Sequence, residues 1–155
     1  MTVYVMIDSF LGQSSTYLFT KGVIMDTSSN FETSQTILKN MEKHLSSDLL
    51  TCIKNCTKVH QLCEQTISHC LGKGGMHSEV THLRALRDVS EISALTTDFM
   101  LRESPMHYVV CMACAETCLV CAQSCERFHD DSEMKAIADA CRYCAESCEK
   151  MSMHH

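Results

Sequence analysis

The run Cys111-Met-Ala-Cys114-Ala-Glu-Thr-Cys118-Leu-Val-Cys121-Ala-Gln-Ser-Cys125 decides how this chain folds. Its cysteines recur at spacings of 3, 4, 3 and 4, the alternation that keeps side chains on one seam of an α-helix, where a bundle ordinarily carries leucine. The alternation returns at Cys141, Cys144 and Cys148, and the two segments are alike locally, since Cys114-Ala115-Glu116-Thr117-Cys118 parallels Cys144-Ala145-Glu146-Ser147-Cys148. Upstream, Cys52, Cys56, Cys63 and Cys70 are spaced 4, 7 and 7 apart. At about 100° per residue they fall within roughly 40° of arc. Three helices therefore each present a narrow face of thiols.

Around these stripes the chain has few breakers, with five glycines and one proline in 155 residues, so it reads as helical. Gly72-Lys73-Gly74-Gly75 stops a first long helix predicted from about Ser47 to Leu71, with Ser46 or Ser47 able to cap its start. A second runs from Ser78 through Arg102, and Pro105 fits the first turn of a third that lasts to about Phe128. After His129-Asp130-Asp131 a fourth extends from Ser132 to near Ser152. Four helices with short links predict an all-α, antiparallel up-down-up-down four-helix bundle. The bundle domain is expected over 32–155, opening with a short leading helix that carries Ile37, Leu38, Met41 and Leu45. Residues 1–31, with Gly12, Gly22 and many Ser and Thr, read as a weakly structured N-terminal extension within which Met25 is an alternative start.

Charge and composition exclude several function classes. Thirteen Lys and Arg against nineteen Asp and Glu leave a net charge of −6, which argues against a nucleic-acid partner. The longest uncharged stretch, Ser104 to Ala115, falls short of the roughly 20 residues that cross a bilayer, so no membrane association is expected. The apolar run Val3–Ile7 is followed by Asp8 and preceded by no basic residue, which does not support a secretory signal and makes the expected compartment cytoplasmic. Thiols stay reduced there, so the twelve cysteines point to metal or redox chemistry before a disulfide scaffold. No glycine-rich phosphate loop, catalytic triad or open zinc site with a general base is present, and Glu116, Glu126 and Glu146 read as solvated helix faces. The chain is not expected to be an enzyme.

A buried free cysteine is often a small hydrophobe. Twelve on three inward faces would make an underfilled, oxidisable core, so something should occupy the space between them. Thiolates select Cu(I), zinc or iron–sulfur clusters. Zinc asks for closed sets of four ligands, and clusters gather four thiolates, usually from a loop, whereas Cu(I), content with two or three sulfurs, fits a continuous row. One Cu(I) replacing each thiol proton also keeps a low-dielectric core neutral. The expected cargo is thus multiple Cu(I) ions, on the order of ten at most. The expected ligands are Cys52, Cys56, Cys63, Cys70, Cys111, Cys114, Cys118, Cys121, Cys125, Cys141, Cys144 and Cys148, joined by His107 on the same seam.

The faces extend to Leu49, Val59 and Thr66 on the first helix and to Met134, Ile137, Met151 and His155 on the fourth. On the second helix the inward face is His82, Leu86, Val89, Ser93, Thr96 and Met100, without a thiol. One bundle end collects Met41, His44, Met100, Met106, His107, Met151, Met153, His154 and His155, weaker Cu(I) donors suited to an entry mouth. The other end, with Met76, His77, His82 and His129, is a competing entrance. Two other readings stay open on spacing alone: a helical scaffold stapled by disulfides, and an iron–sulfur electron carrier.

Over about residues 48–152 the sequence resembles the four-helix-bundle copper storage proteins, formerly described as cysteine-rich ferredoxin-like. The resemblance rests on Cys52-x3-Cys56 with Cys63 and Cys70, the Gly72–Gly75 turn, Asp98-Phe99-Met100-Leu101-Arg102-x-Ser104-Pro105, and the Cys111–Cys125 and Cys141–Cys148 runs. It implies a homotetramer of bundles filled with Cu(I) through cysteine pairs, cytosolic where no export signal is present, and exchanging copper with a copper chaperone. Val59, Val89 and Ser93 stand where related sequences commonly carry further cysteines, which implies a reduced capacity or a smaller site with a sensing role. The extension 1–31 has no counterpart in that pattern.

Overall fold

The protein is described here from a computed structural model covering residues 19–20, 23–24 and 27–153. The chain divides into two compact units, 1–44 and 45–155. The first unit holds a minimal antiparallel pair, β1 (Phe19–Thr20) and β2 (Val23–Ile24), and helix α1 (Thr27–His44). Helix α1 is the expected leading helix, the shortest of the five, and it starts at Thr27 rather than Glu32, so it reaches into the segment expected to lack one. The remainder of that extension, Met25 included, lies outside the described residues.

The second unit is the four-helix bundle: α2 (Ser47–Lys73), α3 (Val80–Leu101), α4 (His107–Glu126) and α5 (Ser132–Ser152). Each helix packs on the next, and α5 returns to α2 to close the ring. Local chemistry sets the ends. Ser46 caps α2, its Oγ accepting from the Leu49 N–H at 3.2 Å. Gly74, at φ 70°, ends α2 by donating its N–H to the Cys70 carbonyl, a left-handed conformation that suits glycine. A 3-10 turn at Gly75–Ser78 then leads into α3, which begins at Val80 rather than Ser78. Asp131 caps α5, its carboxylate accepting from the Glu133 and Met134 N–H groups at 3.0 and 3.3 Å.

The α3–α4 junction differs from the sequence expectation. Glu103 adopts φ 48°. The Glu103 N–H bonds to the Met100 carbonyl and the Ser104 N–H to the Phe99 carbonyl, the paired closure of a Schellman motif. Pro105 therefore belongs to the turn, and α4 starts two residues later, at His107.

All twelve cysteines are fully buried, and Leu86, Val59, Val89, Met100, Met134 and Ile137 pack with them in one core. Helix α4 has the length and apolar composition of a membrane span. Its thiol face, with Ala115 and Ala122, is buried in the bundle.

Candidate metal centre

Helices α2, α4 and α5 bring their thiols together as a connected row. One group joins Cys52, Cys111 and Cys148, a second Cys56, Cys114, Cys144 and Cys148, and a third Cys63, Cys121 and Cys141, the sulfurs within each group lying within 4.8 Å of one another. Cys148 belongs to the first two groups and links them. Cys52 and Cys148 are 3.6 Å apart, Cys56 and Cys144 3.6 Å, and Cys56 and Cys148 3.5 Å. These are contact distances, well beyond the about 2.05 Å of a disulfide, and all twelve thiols are free. The separations suit sulfurs that converge on an ion between them, and two to four soft donors per group are what Cu(I) accepts.

Contacts within the row shift the thiols in both directions. Contact with Cys114 and Cys144 pushes the Cys56 thiol up, and contact with Cys121 and Cys141 does the same to Cys63. Cys114 and Cys141 are held low because neighbouring S–H groups, those of Cys118 first, donate to their thiolates. Cys144 is raised by its contact with Cys114, but Cys118, Cys148 and Cys56 outweigh this and bring it to about 6.

Cys70 stands apart, in none of the three groups. Burial, then the nearby Cys125, pushes its thiol up to about 11. Its Sγ lies 3.5 Å from His82 Nε2, and His82 Nδ1 lies 2.9 Å from Ser124 Oγ. His82 is fully buried, and burial, with the charge of Arg127, holds its pKa below the ordinary imidazole value. The Phe128 ring packs against it at 4.8 Å between centroids and against His77 at 4.2 Å. Spacing placed His82 on the inward face. Its link to Ser124 was missed, because a serine beside a thiol seam carries no distinguishing pattern.

The inward face expected for α3 is buried in full: His82, Leu86, Val89, Ser93, Thr96 and Met100. Val59 and Thr66 are likewise buried on α2. The thiols therefore lie on α2, α4 and α5, and the α3 side is lined by carbon and hydroxyl groups between His82 at one end and Met100 at the other.

His107 is half-buried at the start of α4 and outside all three thiol groups, and its Nδ1 donates to the Ser104 carbonyl at 2.8 Å. Of the proposed mouth, Met100 and Met151 are buried, while Met106 and Met153 are exposed. His44 belongs to the other unit. The side chain of Met41, and His154 and His155, lie outside the described residues. At the opposite end Asp131 takes the Lys73 ammonium and His77 Nε2 on one carboxylate oxygen. Lys73 is the chief cause of a carboxyl pKa held well below the usual range. Glu126 is engaged by Arg142, as a surface ion pair.

Comparison with known proteins identifies the family. The family model described as copper storage protein matches residues 45–153. Among solved structures, the Nmul_A1745 protein from Nitrosospira multiformis is 37% identical, over 72% of this chain and 100% of that one, with a TM-score of 0.67. The Cu(I)-bound copper storage protein BsCsp3 is 30% identical, over 68% and 99%, with a TM-score of 0.64. The apo Csp3 from Bacillus subtilis is also 30% identical, over 66% and 96%, with a TM-score of 0.59. A comparison with curated protein sequences returns no match. A storage family is a non-enzymatic one, and the chain belongs to it: this is a member of the copper storage protein family.

Proposed function

We propose that this protein stores or buffers Cu(I) in the cytoplasm, taking several ions into the bundle lumen as thiolate complexes. The observation that carries the reading is the row of buried, unbonded sulfurs on three helices. Each Cu(I) displaces a thiol proton, so the core stays neutral as it fills. The thiol-free face of α3 supports a smaller capacity than a lumen lined on four sides. His107, at the N-terminus of the helix that carries five of the cysteines, is proposed as an accessory ligand near one end.

Self-association into a tetramer is proposed on the family resemblance. It is supported by an outer stripe of α4, where Val109, Met112 and Val120 are exposed. Exchange with a copper chaperone is proposed as the route of supply and withdrawal.

The test is a titration of reduced apoprotein with Cu(I) against a competing chelator. Several tightly held equivalents per chain are expected, with a ceiling on the order of ten. Saturation at one ion or none would overturn the reading.

A further inference from the structure

We infer that Cys70 and His82 form a separate, mixed sulfur–nitrogen Cu(I) site that ends the thiol row at the Phe128 side of the bundle. The inference rests on the storage reading and extends it to a residue on α3, the bundle helix without cysteine. Cys70, Cys118 and Cys125 lie outside the three groups, but Cys118 and Cys125 touch the row through Cys114 and Cys121. The close partner of Cys70 is instead His82 Nε2, at 3.5 Å. Both side chains are fully buried, so neither finds water as an alternative partner.

The surroundings orient the ring for ligation. A neutral imidazole that binds metal through Nε2 must carry its proton on Nδ1, and Ser124 Oγ sits 2.9 Å from that atom, ready to accept it. Phe128 packs against the imidazole, its ring centroid 4.8 Å away. Without metal, the thiol proton lies in the S···N gap. Loading replaces that proton with Cu(I): the S–H bond breaks, the proton leaves to solvent, and the sulfur–copper and nitrogen–copper bonds form. The pair is neutral before and after, with no oxidation or reduction. With metal–sulfur and metal–nitrogen bonds of about 2.3 and about 2.0 Å, a linear arrangement spans about 4.3 Å. The Sγ–Nε2 gap, 3.5 Å in the metal-free pair, opens by less than about 1 Å to take the ion. Imidazole is a weaker Cu(I) donor than a second thiolate, so this site fills after the all-sulfur groups and empties before them.

The test uses the full reduced chain, labelled with ¹⁵N and titrated with Cu(I), following histidine ring nitrogens by long-range ¹H–¹⁵N correlation. The His82 Nε2 resonance should move in the last part of the titration, while that of His77 should not. His82→Ala should lower the saturating stoichiometry by one equivalent, and His82→Cys should restore it. An unchanged His82 ring at saturation, or an unchanged count in His82→Ala, overturns the site while leaving storage in the thiol row intact. A chain that takes up no Cu(I) at all overturns both.

Discussion

At the scale of single residues, the cysteines do two jobs that pull against each other. They fill positions where a bundle wants leucine, and they leave the volume that lets an ion sit between sulfurs. Cys114 and Cys118 illustrate the balance, since both are fully buried in the core and their mutual contact is the first cause that lowers Cys114. Replacing both by Ala should cut the Cu(I) count by two or more in a chelator competition, while single variants remove smaller steps. Asp131 carries a second residue-level prediction. Its folded-state pKa is depressed, so its charge stabilises the fold above the unfolded carboxyl value of about 3.9 and that stabilisation is lost as pH falls below it. Asp131→Asn keeps a capping oxygen but drops the charge. Its apoprotein should show a flatter acid branch in denaturation midpoint against pH. Much of this was legible beforehand: every thiol predicted to face inward does so, because a 3–4 repeat fixes a face whatever the neighbouring helix. The Asp131 grip on Lys73 and His77 was not, because contacts between loops leave no periodic trace.

At the scale of elements, the ends of α3 set the geometry more than its middle. Glu103 holds a left-handed conformation that costs a non-glycine residue about 1 kcal/mol. Glu103→Gly should therefore stabilise the apoprotein by about 0.5–1 kcal/mol in urea unfolding, with Cu(I) stoichiometry unchanged. The same motif explains why proline misled the boundary of α4. Pro105 is as compatible with a turn as with a first helical turn, and the decision fell to hydrogen bonds from Glu103 and Ser104 that no local pattern announces. Helix α3 also keeps its apolar face exactly where a helical repeat puts it, yet Ser93 satisfies itself by donating to the Val89 carbonyl at 2.6 Å. A polar core position of this kind needs no partner from another helix, and spacing alone does not reveal that.

At the scale of the bundle, the chemistry is asymmetric, with thiols on three sides and none on the fourth, where α3 sets Leu86, Val89, Ser93 and Thr96 between His82 and Met100. Substituting Ser93 and Val89 by Cys should raise the saturating Cu(I) count by about one ion per added thiol, by the neutrality argument. A count that stays fixed would show that existing groups, not thiol number, limit filling. Loading should also raise the thermal midpoint well above that of the reduced apoprotein, because an ion bound only by the folded lumen stabilises by mass action. Removing copper with a chelator should reverse the change.

The single Asp131 carboxylate oxygen that holds both Lys73 and His77 grips the chain on either side of Gly74 and Gly75. Proteolytic nicking at those glycines would leave both new termini fastened to the same anchor. A clipped molecule should run intact on a sizing column and come apart only in denaturant.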